Sequence, residues 1–83
     1  MRGAPPGHEA EFTEFVGSAS ARLLRAALVL LNSREEAEDA LQLTLLRTFR
    51  RWDHARQAPE AYSRTVLVNV CRSAGGTGPA TRR

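Results

Sequence analysis

Tyr62, Thr65, Asn69 and Arg72 recur at three- and four-residue steps, the spacing that gathers side chains into one sector of a helix. A ring, a hydroxyl, an amide and a guanidinium in one sector can stack on a base, bond a base edge and neutralise a phosphate. The same mixture also suits a solvated helix face with Tyr62 at its boundary. A second constellation lies upstream, in "REEAEDALQLTLLRTFRRWD", Arg34 to Asp53. At about 100° per residue, Leu43 and Leu46 fall far around the helix from Ala37, Leu41 and Leu45, and they share their side with Asp39, Gln42 and Arg50. An apolar centre rimmed by polar groups describes a docking site for another helix. Two surface leucines are equally ordinary in themselves.

Catalytic chemistry finds little support. His8 and His54 have no partner at metal-ligand or triad spacing, and His54 reads as a loop residue within reach of phosphate. Cys71 is the single cysteine; it excludes an internal disulfide and reads as a small buried or boundary residue. Asp39 with Glu35 or Glu38 imitates a carboxylate pair, but no pocket or partner accompanies it. The reading is therefore of a protein that binds, without enzymatic activity, metal or cofactor.

These side chains need helices to present them. The chain has 83 residues, 42% hydrophobic and 25% charged, enough for one small domain with a thin core. Twelve basic residues face nine acidic ones, a balance of +3, and every basic residue is arginine. Arginine alone fits codon bias, and it also fits planar, bidentate phosphate contacts. No apolar run approaches the roughly 20 residues that span a membrane, and "MRGAPPGHEAEF" has no hydrophobic signal core, so the expected location is the cytoplasm. Residues 1–8 and 74–83, rich in Gly, Pro and small polar residues, read as flexible, leaving 9–73 as the structured part.

Within it, Phe12, Val16, Ala19, Leu23, Ala27 and Leu30 form the stripe of a first helix, about Glu9 to Leu31. Gly17 weakens that helix, and Asn32 and Ser33 end it. Ser33 and Glu36 make a capping box that opens the second helix, with Ala37, Leu41, Leu45, Thr48 and Trp52 expected on its buried stripe. Acids early in this helix and arginines late both suit its dipole. Asp53 to Ala58 reads as a loop. Pro59 is placed to start a third helix, about Pro59 to Ser73, with Val66 and Val70 toward the core and Leu67 on their flank. Its run "TVLVNVC" is β-branched and reads as a strand in isolation; the surroundings favour helix. The fold class is all-α, a small three-helix domain.

"EEAEDALQLTLLRTFRRW" resembles the helix by which sigma-70 family transcription initiation factors dock on core RNA polymerase. The closer likeness is to the extracytoplasmic-function subgroup, where a stretch like "AEDLVQE" is typical; here "AEDALQL" matches through Ala37, Glu38, Asp39, Leu41 and Gln42. "APEAYSRTVLVNVCRS" is similar to the family's next helix, including an Asn at Asn69, and "FTEFVGSASARLLRAALVLL" is similar to its first. Each motif alone is modest, whereas three in order with family-like spacing are specific. The resemblance covers about Phe12 to Ser73 and corresponds to the family's region two.

The resemblance implies that Asp39 and Gln42 make polar contacts to the clamp coiled coil of the largest polymerase subunit, with Leu43 and Leu46 packing beside them and Arg50 at the rim. Leu43 departs from the pattern, since members often carry an acid there. It further implies that the third helix and the preceding loop recognise the −10 promoter element as single-stranded non-template DNA, with a flipped base held by the loop. Tyr62 stands where many members have Trp. Arg51, His54, Arg56, Tyr62, Thr65, Asn69 and Arg72 are the implied DNA-binding residues, with Arg47, Arg50 and Arg64 adding to the cationic path. An anti-sigma factor is a candidate partner. A rival reading is a helical protein-interaction module, anti-sigma-binding or dimerising through Leu43 and Leu46, that reads no DNA. The family's second, −35-reading domain is expected to be missing after "AGGTGPATRR", which would leave the chain binding polymerase better than it binds DNA.

Overall fold

Gly7 opens the first helix from the left-handed region, at φ 96°, where a residue without Cβ is at ease. α1 then runs His8–Leu30, with Glu9 and Glu11 in its first turn. The computed structural model describes residues 7–73; the expected flexibility of 1–6 and 74–83 lies outside the described residues. α1 ends where Leu31 turns extended, at φ −123° and ψ 142°. Ser33 caps the next helix, its hydroxyl accepting from the Glu36 amide at 3.2 Å. α2 spans Arg34–Arg50, α3 is the single turn Trp52–Ala55, and α4 is Pro59–Cys71, with proline in its first turn.

The fold is all-α, and "TVLVNVC" is helical. In the order of elements, two details differ from the sequence reading. A one-turn helix occupies the start of the expected loop, and Trp52 belongs to it rather than to α2. The break falls at Arg51, whose backbone leaves the helical region (φ −115°, ψ 31°).

α1, α2 and α4 pack against one another in pairs, while α3 bridges α2 and α4. The core is Ala19, Leu23, Ala27 and Leu31 against Ala37 and Ala40, closed by Leu67, Val70 and Cys71. On α2 the innermost residues are Ala37, Ala40, Thr44 and Thr48, whereas the expected Leu41 and Leu45 are half-buried at the flank. The reason is steric: α2 is sandwiched between two helices, and small side chains on its innermost line let the backbones approach. Similarly, Leu67 is fully buried and leads the α4 face with Ser63, Val70 and Cys71, and Val66 is only partly covered. Leu30, expected on the α1 stripe, is half exposed; Leu31 takes its place in the core once the chain unwinds. Two buried hydroxyls turn back on their own helices, Thr48 donating to the Thr44 carbonyl at 2.8 Å and Ser63 to the Pro59 carbonyl at 2.8 Å, while the buried Thr44 hydroxyl has no hydrogen-bond partner among the described residues.

A second, aromatic cluster closes the end where α1 starts and α2 stops. Phe12 lies 4.8 Å from Phe49 and meets Trp52 edge-on at 5.2 Å, with Phe15 5.7 Å from Trp52 (ring centroids). Between this cluster and the core, Gly17 sits on an exposed part of α1, and a Cβ added there would meet nothing within 4 Å. Gly17→Ala should therefore stabilise the domain by about 0.5–1 kcal/mol, a rise of a few degrees in Tm, measurable by thermal unfolding. An unchanged or lower Tm would contradict this account of α1.

Candidate functional site

α2 presents two neighbouring surfaces, both beside α4. On one, Asp39, Gln42, Leu43, Leu46 and Arg50 are all exposed, with Leu43 at 38% and Leu46 at 47% of full exposure. The leucines that the sequence places outside do stand outside. Beside them a notch of about 220 Å³ is lined by Glu36, Asp39, Ala40 and Leu43 with Val70 of α4. The strip thus combines apolar surface with two carboxylates at its edge.

Further along the same side, the last turn of α2 faces α4 across a groove of about 280 Å³. Arg47, Arg50, Arg51, Tyr62, Val66 and Asn69 line it. Arg50, which the sequence reading gave both to the polymerase strip and to the cationic path, lines this groove. His54 meets the Tyr62 ring edge-on at 5.7 Å, so the short helix α3 delivers an imidazole to the groove's rim. Thr65 is exposed, but its hydroxyl donates back to the Ala61 carbonyl at 3.2 Å, leaving its oxygen lone pairs for a ligand. Arg72 is exposed at the end of α4. Three guanidiniums, a phenol and an amide around an apolar floor form a surface suited to a polyanion with stacking rings.

Arg56 is committed elsewhere. Its guanidinium does not line the groove; it grips Glu11 of α1 in a bidentate pair, Nε to Oε1 at 2.9 Å and Nη2 to Oε2 at 2.6 Å. Glu11 also accepts from the Trp52 indole N–H at 3.1 Å. The sequence reading missed Glu11, and nothing local could have disclosed it, since 45 residues separate it from Arg56. Arg64, expected on the cationic path, leans toward Glu60 at 4.0 Å. Glu60 itself holds Arg22 of α1 at 2.8 and 2.7 Å. His8 also finds a partner that spacing could not show, the Asp53 carboxylate 3.5 Å from its Nδ1.

These pairs move proton affinities. Hydrogen bonds from Arg56, then Trp52, hold the Glu11 carboxyl down at about 2 from 4.5, and hydrogen bonding to Arg22 lowers that of Glu60. The partner arginines move up, Arg56 by its bond to Glu11 and Arg22 by its bond to Glu60. Burial raises the Cys71 thiol, which makes its thiolate scarce and the residue a poor nucleophile. For Glu11 the folded-state pKa is depressed, so its contribution to stability is complete above about 4.5 and disappears as pH falls from there through about 2. Glu11→Gln should thus lower the urea midpoint at neutral pH, and the gap to wild type should close near pH 2. A gap that stays constant across that window would refute the assignment.

Among the described residues no group of three or more His, Cys, Asp or Glu side chains converges as a metal cage would. No described helix is long and apolar enough to cross a membrane. Two larger hollows follow the acidic first turns of α1, along Glu9, Glu11 and Glu14, one of them reaching Trp52 and Arg56, and neither shares a lining residue with the cationic groove.

The molecule is thus an all-helical domain with two chemically distinct, adjoining surfaces along one central helix, with Arg50 between them. Residues 15–74 match the family model described as Sigma-70 region 2, and the chain belongs to that family. It is 38% identical over 66 residues to the RNA polymerase sigma-E factor of Streptomyces avermitilis, covering 77% of this chain and 37% of the relative. It is 37% identical over 66 residues to the RNA polymerase sigma-E factor of Streptomyces coelicolor, with the same coverage. The chain thus spans 37% of the length of these curated relatives. No solved structure matches it.

Proposed function

We propose that this chain acts in transcription initiation as a sigma-factor domain in the cytoplasm, binding core RNA polymerase through α2 and the melted −10 promoter strand through the groove between α2 and α4. It works by binding and needs no cofactor. The observation that carries the reading is the division of labour on α2: Leu43 and Leu46 stand outward beside Asp39 and Gln42, while Arg47, Arg50 and Arg51 turn toward Tyr62 and Asn69. In this reading the leucine strip takes the clamp coiled coil of the largest subunit. Asp39 and Gln42 bond its polar groups, and the apolar pair supplies the desolvated centre on which most interface energy rests. An anti-sigma factor that covered the same strip would compete with polymerase.

The single strand would lie in the groove. Tyr62, held edge-on by His54, offers a stacking face; Asn69 offers a donor and an acceptor to a base edge. Unstacking a base costs a few kcal/mol, recovered by a shaped site for the fitting base. Thr65 and Arg72 extend the path along α4. The arginines add affinity without sequence information, and that part weakens with salt.

The test is a salt series of oligonucleotide binding. The triple variant Arg47→Ala, Arg50→Ala, Arg51→Ala should bind single-stranded DNA far more weakly than wild type. Its slope of log affinity against log salt should be shallower by about 0.7 for each arginine that holds a phosphate. Wild type should prefer single strand over duplex. An unchanged slope in the triple variant, or equal binding of duplex, would contradict the strand reading.

A further inference from the structure

Arg51 and His54 reach the groove from the two sides of one short element. Arg51 precedes α3 and lines the groove; its carbonyl accepts from the His54 and Ala55 amides at 2.9 and 2.8 Å. His54 sits on α3 and contacts Tyr62. Any shift of α3 therefore moves both groups relative to α4. Yet α3 has only four residues, and one isolated helical turn does not hold itself together. Its position must come from what it touches. Ala55 and Trp52 are buried, which fixes depth but allows rocking. The directional contacts are polar, and they converge on the first turns of α1. Glu11 binds the Trp52 indole at the front of α3 and the Arg56 guanidinium immediately behind it, and His8 faces Asp53 between them. One carboxylate thus accepts three hydrogen bonds from both ends of the same turn.

We infer that Glu11 is a positioning residue for strand binding: it latches α3 to α1 and so sets the placement of Arg51 and His54 at the groove, and Arg56 serves the latch rather than a phosphate. This rests on the strand-binding reading of the groove. It also reverses the simplest electrostatic expectation. Glu11 is an anion at the end of the molecule that would meet DNA. If Arg56 were a phosphate ligand restrained by Glu11, removing the carboxylate would release a cation and strengthen binding. If Glu11 is the latch, removing it loosens α3, and the loss of a preorganised site weakens binding.

The experiment compares the full chain with Glu11→Ala and Glu11→Gln. Amide hydrogen exchange over residues 52–58 reads the latch, together with emission from Trp52, the one tryptophan of the sequence. Affinity for a labelled, mixed-sequence single-stranded oligodeoxynucleotide at low salt reads the groove, and affinity for core polymerase reads the leucine strip. Glu11→Ala is expected to exchange faster over 52–58, to bind the oligonucleotide about tenfold more weakly, and to bind polymerase as wild type does. Glu11→Gln keeps an acceptor for the indole and should recover part of the loss; should Glu11→Ala fail to fold by circular dichroism, it carries the same readings. Unchanged exchange overturns the latch. Faster exchange with unchanged or tighter oligonucleotide binding overturns the positioning role, and tighter binding reassigns Arg56 to phosphate. A wild-type chain that ignores the oligonucleotide sinks the strand reading and the positioning role with it, while the exchange data still decide whether the latch exists.

Discussion

Trp52→Ala is expected to cost about 3–5 kcal/mol, the largest loss of any single side chain in the domain. The indole is 4% exposed, meets Phe12 and Phe15, and donates to Glu11. Removing it leaves a cavity among aromatic rings, deprives Glu11 of one partner and frees α3 from its anchor. A domain of this length has a total stability of only about 0.05–0.15 kcal/mol per residue, so the substitution consumes much of it. Trp52→Phe, which keeps a ring but no N–H, should lose clearly less. Urea unfolding followed by far-ultraviolet circular dichroism checks both, at unchanged m-value. An alanine variant whose midpoint matches wild type would mean that the aromatic cluster does not hold this end of the molecule together.

The same tryptophan marks where sequence reasoning stops. It fits the period of α2 and was therefore expected on that helix, because four residues are too few to show a period of their own. What makes α3 a helix is distant: Glu11 lies 41 residues from Trp52 in the chain. The diversion of Arg56 from the groove has the same origin. Acid–base pairing between elements has no local signature, and a sequence shows Arg56 only as one more cation. The rotation of the α2 core line toward Ala37, Ala40, Thr44 and Thr48 is likewise a matter of packing. Periodicity tells which side of a helix is apolar, whereas two neighbours decide which of those residues lies deepest.

Longer elements were legible because their signals are repeated or self-contained. The α1 stripe recurs over more than four turns from Phe12 to Ala27, Ser33 caps α2 as its type and place suggest, and Pro59 begins α4. The outward pair Leu43 and Leu46 could be read because a wheel needs no tertiary knowledge to put two residues opposite a core. The family likeness was readable from three motifs in order, and residues 15–74 match Sigma-70 region 2. The candidate site divides along the same line. Tyr62 and Asn69 share one sector of α4 and meet in the groove, whereas the residues that hold the groove's other wall, Glu11 above all, come from the far end of the chain.

The central claim is that α2 turns a partly apolar strip outward in order to seat it on polymerase. Leu43→Asp with Leu46→Asp tests it most directly, because both side chains are already exposed and the fold should tolerate the change with little loss of Tm. Two charges placed in what would become a desolvated interface centre should weaken binding to core polymerase by about a hundredfold or more. Single-stranded DNA binding in the adjoining groove should fall much less, by what the added negative charge costs at low salt. A double variant that folds as wild type and still binds core polymerase with wild-type affinity would contradict the account.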